Sequence, residues 1–145
     1  MSSVGTYLNF DGQAEEAFEF YAKTFGTKIT SITRIGEMPT GPGMPALSED
    51  EQKRIANVQL PIVNGHVIMG SDILPSMGHK LTIGNNITIE VEPDTRADTD
   101  RLYAALSAGD KDANGLNDMP WGAYWGVCLD RFGVRWMFNC YAPAS

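Results

Sequence analysis

Apolar and polar positions alternate from Val4 to Phe10, with Val4, Thr6, Leu8 and Phe10 on one side and Gly5, Tyr7 and Asn9 on the other, which predicts a strand. At Gln13 the period changes. Ala14, Ala17, Phe18, Tyr21, Ala22 and Phe25 recur at helical spacing, Glu15, Glu16, Glu19 and Lys23 take the remaining positions, and Gly26 supplies a C-terminal cap. Lys28 to Ile35 alternates again and is rich in β-branched residues, predicting a second strand. Ile55 to Val63 and Val67 to Ser71 read as strands joined at Asn64-Gly65, a strong hairpin signal. Before them, Gly36 to Lys53 is broken by Pro39, Pro42 and Pro45 and by Gly41 and Gly43, so it reads as a mobile loop with at most a short turn near Ser48.

The second half repeats this order after a crossover at Asp72 to Gly84. Asn86 to Glu92 alternates, and Asp94 or Thr95 starts a helix with Ala97, Leu102, Tyr103 and Leu106 along one side. Gly109 ends that helix, and Lys111 to Asp118 carries no clear pattern. Ala123 to Leu129 and Gly133 to Tyr141 are strands around a turn at Asp130 to Gly133. Laid without gaps, Tyr7 to Gly26 on Glu90 to Gly109 matches Asp11 with Asp94, Ala14 with Ala97, Ala22 with Ala105 and Gly26 with Gly109. The expected fold is α+β, a tandem βαβββ repeat within one domain over 1–145, with modules at about 3–72 and 84–142. Neither half alone buries its apolar face, so function is expected where the halves enclose space.

Composition narrows the classes of function. With 43% hydrophobic and 20% charged residues the chain is globular, and its net charge of −7 comes without a Lys/Arg cluster, so nucleic acid is not an expected partner. No apolar run approaches the roughly 20 residues a membrane helix needs, and the N-terminus lacks a signal-peptide core, so a cytoplasmic location and no membrane partner are expected. Pairing across the Asp130 to Gly133 turn puts Cys128 near Arg135 and Cys140 near Ala123. The two thiols are then too far apart to bridge, and two free, buried cysteines are expected.

Several short segments in this order resemble the vicinal-oxygen-chelate superfamily, which includes glyoxalases, extradiol dioxygenases and bleomycin-resistance proteins, and more narrowly its PhnB-like branch. They are Tyr7-Leu8-Asn9-Phe10 before the first helix, Gly36-Glu37-Met38-Pro39, Met69-Gly70-Ser71-Asp72, and Trp125-Gly126 leading to Asp130-Arg131-Phe132-Gly133-Val134 with Trp136. The resemblance implies a U-shaped, mostly antiparallel sheet around a cavity, with helices outside. It also implies metal-ligand positions near Gly5, Met69, Thr88 and Met137, none of which is a His, Glu or Asp. Divalent ions need imidazole or carboxylate donors, so no metal and no cofactor are expected. His66 and His79 lie beside the hairpin and in the crossover, and are expected to face solvent.

Strand parity and this resemblance select Tyr7, Asn9, Met69, Ser71, Thr88, Glu90, Trp121, Met137 and Asn139 as ligand-binding candidates: apolar walls with a few hydrogen-bonding groups. No catalytic residue is assigned. Glu90 and Glu92 share a strand face about 7 Å apart, where two carboxylates could hold a cation or work as acid and base; a solvated rim is the simpler reading for Glu92. Trp136 and Phe138 are assigned to packing, and Arg34 and Glu37 to the mouth of the cavity. The expected function is metal-free binding of a small organic molecule without established catalysis, in a homodimer. The alternative is a metal-dependent lyase or dioxygenase of the glyoxalase type with relocated ligands. A methyltransferase of the demethylubiquinone type, a label the branch carries, is disfavoured because no strand runs into a glycine-rich turn fit for S-adenosylmethionine.

Overall fold

The computed structural model describes residues 1–39 and 41–144, and the chain forms two compact units, Met1–Thr82 and Ile83–Ser145. In the first, β1 (Thr6–Phe10) leads to α1 (Ala14–Phe25) and β2 (Ser31–Arg34), and α2 (Glu49–Lys53) precedes β3 (Ile55–Pro61) and β4 (Val67–Asp72). The sheet order is β1-β4-β3-β2, with β1 and β4 parallel and the other pairs antiparallel. One sheet face is closed by α1. Phe18 and Tyr21 are fully buried with Val58, Leu60 and Ile68, and Phe18 meets Phe10 and Tyr21 edge-on at 6.2 and 5.8 Å. Each such side chain contributes about 1.5–3 kcal/mol on burial. Gly70 permits this packing, because a Cβ there would stand 2.7 Å from Phe18 Cε1 and 2.9 Å from the Leu8 carbonyl oxygen.

The start of α1 is secured from a distance. Gln13 makes no side-chain cap; instead Asp72 at the end of β4 accepts hydrogen bonds from the Gly12 and Ala14 N–H groups at 2.9 and 3.0 Å through Oδ1, and from the Ile55 N–H at 2.9 Å through Oδ2. Three orphan backbone donors are thereby satisfied inside the fold. At the other end Gly26 is left-handed (φ 69°), as its cap position requires. The Asn64-Gly65 hairpin forms as expected, with φ of 50° and 77° at its two central residues.

The Gly36 to Lys53 segment is more structured than its prolines and glycines predict. A 3-10 turn covers Ile35–Glu37, and α2 is capped by Ser48, whose hydroxyl accepts from the Glu51 N–H at 3.1 Å. Glu51 is buried and accepts from the Ser76 hydroxyl at 2.7 Å. That tertiary contact, invisible in local pattern, holds α2 in place. Thr40, within the predicted loop, lies outside the described residues.

The second unit has the same topology. It contains β5 (Ile89–Val91), α3 (Arg96–Leu106), β6 (Asn117–Asp118), β7 (Tyr124–Leu129) and β8 (Arg135–Cys140), in the order β5-β8-β7-β6 with β5 and β8 parallel. Trp136 and Phe138 are fully buried against α3, whose Tyr103 meets Phe138 edge-on at 6.2 Å. The Tyr103 hydroxyl donates to the Val127 carbonyl at 3.1 Å and accepts from the Gly115 N–H at 3.0 Å. Asp130 accepts from the Phe132 and Val134 N–H groups and from the Trp136 indole N–H at 2.8, 3.0 and 2.9 Å, fixing the turn.

Several sequence-based boundaries shift, and the predicted Lys28 to Ile35 strand shortens to Ser31–Arg34. The predicted Asn86 to Glu92 strand shortens to Ile89–Val91, leaving Thr88 just outside it. Helix α3 ends at Leu106 with Ser107 still right-handed, so Gly109 (φ 88°) turns the chain beyond the helix instead of capping it. Strand β6 forms in a stretch that showed no alternation, because two residues are too few to display a period. Cys128 and Cys140 are free and buried; they pair in register with Trp136 and Tyr124, one residue from the expected partners. Burial pushes the Cys128 thiol up to about 12, with Asp110 and Asp130 adding to the rise, which leaves it protonated and a poor nucleophile.

Candidate functional site

Each sheet has one face under its helix and an opposite face free of it, and alternation decides which side chains lie on the latter. In the first unit Tyr7 pairs with Met69 and Asn9 with Ser71 across β1 and β4, so these four predicted residues form one continuous patch. Gln59, opposite Met69 on β3, belongs to it as well and donates to Asn57 Oδ1 at 3.3 Å. Parity along β3 was the available signal for both. Tyr7 stays 45% exposed, so its ring is available to a partner.

In the second unit the open face is built in rows. Glu90, Met137 and Val127 lie side by side across β5, β8 and β7, and the next row contains Asn139, Trp125 and Asn117. The Asn139 amide donates to Glu90 Oε2 at 3.0 Å, and Asn139 is only 7% exposed. This pair joins two predicted residues. Loss of water around the Glu90 carboxyl raises its pKa above the usual range; the Asn139 hydrogen bond opposes the rise, and the neighbouring Glu92 adds to it.

Trp121 sits in the turn before β7, and its ring meets Trp125 edge-on at 6.2 Å. Arg135, in the same parity as Met137 and Asn139, also belongs to this face. Arg34 and Glu37 do something different from the expected closing of a mouth. Arg34 forms a bidentate pair with Glu15 at 2.7 and 3.1 Å and lines, with Gly36, Glu37, Glu49, Gln52 and Lys53, a cleft of about 420 Å³ beside α2. His66 and His79 are exposed as expected. Each is nonetheless engaged: His66 Nε2 lies 3.0 Å from the Thr6 hydroxyl, and His79 Nδ1 accepts from the Leu74 N–H at 3.1 Å.

A family model described as 3-demethylubiquinone-9 3-methyltransferase matches residues 2–138. The chain belongs to that family. Among solved structures it is similar to protein PA1353 from Pseudomonas aeruginosa, at 28% identity and a TM-score of 0.79 over 97% of this chain and 98% of that one. It is likewise similar to a PhnB protein from Bacillus cereus, at 26% identity and a TM-score of 0.73 over 96% and 99% of the two chains. A glyoxylase/bleomycin resistance protein/dioxygenase domain from Frankia sp. EAN1pec shares the fold, with a TM-score of 0.67 at 12% identity over 100% of this chain and 96% of that one. The chain is thus a member of the PhnB-like branch of the vicinal-oxygen-chelate superfamily.

The donor set of this PhnB-like chain does not fit the divalent ion that the superfamily implies. Gly5 offers no side chain, Met69 and Met137 offer thioethers, and Thr88 offers a neutral hydroxyl. Among the described residues no three His, Cys, Asp or Glu side chains gather in a group able to hold a metal ion. Glu90 is the one carboxylate paired with Met137, and its neighbours are an amide and a second carboxylate.

Proposed function

We propose that this PhnB-like protein binds a small organic molecule, without a metal ion and without catalysis of its own, on the open sheet face of its second unit. The observation that carries this reading is the Glu90–Asn139 pair set among Met137, Val127 and Trp125. A few oriented polar groups on an apolar and aromatic wall are the usual makeup of a small-molecule site. The equivalent face of the first unit carries hydrogen-bonding groups of its own on Tyr7, Asn9 and Ser71 around Met69. We further propose a homodimer in the cytoplasm.

Methyl transfer, named by the family description, is not the favoured reading. The turn between β1 and α1 contains a single glycine, Gly12, and the N–H groups that could receive an anionic cofactor there are held by Asp72. A relocated metal centre is the second reading, and the proximity of Glu90 and Glu92 is what favours it. A thermal-shift screen of aromatic and thiol-conjugated compounds, run on protein whose metal content has been measured, separates these. The expected result is stabilisation by some compounds that persists after chelation, lost in Asn139→Ala, with no heat on titration of S-adenosylmethionine. A stoichiometric divalent ion whose removal abolishes every shift overturns metal-free binding, and sedimentation of a 15.8 kDa species at micromolar concentration overturns the dimer.

A further inference from the structure

Two buried side-chain atoms have no hydrogen-bond partner among the described residues, Thr27 Oγ1 and Arg135 Nε. The arginine is the informative one. It is half-buried on β8, and no carboxylate among the described residues pairs with it, whereas Arg34, Arg54 and Arg96 each hold an acidic partner at 2.7 Å. A guanidinium partly removed from water with an orphaned N–H carries a desolvation cost that an oxyanion would offset through charge-assisted hydrogen bonds.

Its position on the sheet gives this vacancy a context. Arg135 pairs with Leu129 and lies two residues before Met137, the partner of Glu90. Arg135 and Glu90 therefore share the open face, one row and one strand apart, at roughly 8 Å between their backbones. They do not meet. Glu90 turns to Asn139 in the opposite direction along β8, leaving Met137 and Val127 as an apolar floor between a positive and a negative pole.

From this juxtaposition we infer that the ligand of the open face is a small amphoteric molecule, its oxyanion held by Arg135 and its ammonium or other donor group held by Glu90 and Asn139, with an apolar spacer over Met137 and Val127. This rests on the proposed binding at that face and adds the ligand's chemical class. The negative pole fits the role: partial desolvation and Glu92 disfavour the charged form of the Glu90 carboxyl, and a ligand cation beside it would favour that form and so offset both.

The experiment uses 6-aminohexanoate, hexanoate and hexylamine as probes, with the full chain labelled so that the arginine Nε–H resonances are observed during titration. The expected result is a shift of the Arg135 Nε–H signal with 6-aminohexanoate and hexanoate but not with hexylamine, and binding of 6-aminohexanoate about tenfold tighter than either single-charge probe. Arg135→Gln is expected to remove that preference over hexylamine, and Glu90→Gln the preference over hexanoate; backbone spectra of both variants verify folding. An unmoved Arg135 signal with all three probes overturns the inference. If neutral aromatic compounds still bind beside Trp125 in that case, the proposed binding function stands without it; if nothing shifts any open-face resonance, both fall.

Discussion

The two units solve one problem at different distances along the chain. Each buries an aspartate whose carboxylate accepts several N–H bonds, but Asp72 gathers Gly12, Ala14 and Ile55 from two other segments, whereas Asp130 draws on Phe132, Val134 and Trp136 within its own hairpin. The helices differ likewise. Thr95 caps α3 by accepting from the Asp98 N–H at 3.1 Å, a local device, while α1 depends on the tertiary carboxylate. Similar architecture therefore does not mean a similar origin of order: the buried aspartate and the cap of the long helix reach across the fold in the first unit and stay near in sequence in the second, although both units also rely on long-range contacts such as Tyr103 with Val127.

The largest expected effect tests that contrast directly. Asp72→Ala leaves three N–H groups without their acceptor, so it should cost on the order of 3–5 kcal/mol in denaturant unfolding. Asp130→Ala should cost less, because two of its three donors, the Phe132 and Val134 N–H groups, belong to a turn that can rotate them toward water, and only the buried Trp136 indole N–H is left unpaired. Equal losses would break the comparison. Gly70→Ala should follow, at about 1–3 kcal/mol, because the added methyl meets both the Phe18 ring and the Leu8 backbone. Thr95→Ala should cost about 1 kcal/mol by loss of a cap, against no measurable change for Gln13→Ala, whose side chain caps nothing.

The smallest effects are electrostatic, and their signs oppose. The Arg34 guanidinium holds the Glu15 carboxyl below its usual range, so this pair stabilises the fold at neutral pH and ceases to do so as pH falls through the lowered value. Arg34→Ala should remove under about 1 kcal/mol, since both partners remain substantially exposed. The Glu90 carboxyl is raised, so the folded state holds its proton more tightly, and stability falls as pH rises from the ordinary carboxylate value through the raised one. Glu90→Gln should therefore be slightly stabilising at neutral pH relative to its effect in acid. Stability curves of the two variants against pH, with opposite slopes relative to the parent, check the pair together.

The open faces complete the contrast. The first unit offers hydroxyls and amides from Tyr7, Asn9, Ser71 and Gln59; the second offers indoles, a carboxylate and a guanidinium. Membership of these faces was legible in alternation: Tyr7 with Asn9, and Met137 with Asn139, follow from strand parity alone. Their mutual contacts were not. Glu90 meets Asn139 because β5 lies parallel to β8, a pairing that register sets and no local pattern reveals.

By itself, the sequence determined the repeated order of elements, the Asn64-Gly65 turn, the buried face of α1, the Leu102, Tyr103 and Leu106 part of the buried face of α3, where Ala97 proves exposed and Thr99 buried, and the separation of the two cysteines, since each follows from periodicity or from a residue's own backbone preference. Tertiary structure alone decided that Asp72 caps α1, that Glu51 and Ser76 order a segment rich in proline and glycine, and that Arg135 Nε has no hydrogen-bond partner among the described residues. The physical reason is range: conformational preference acts within a few residues, whereas desolvation and hydrogen-bond satisfaction depend on which distant groups share the space.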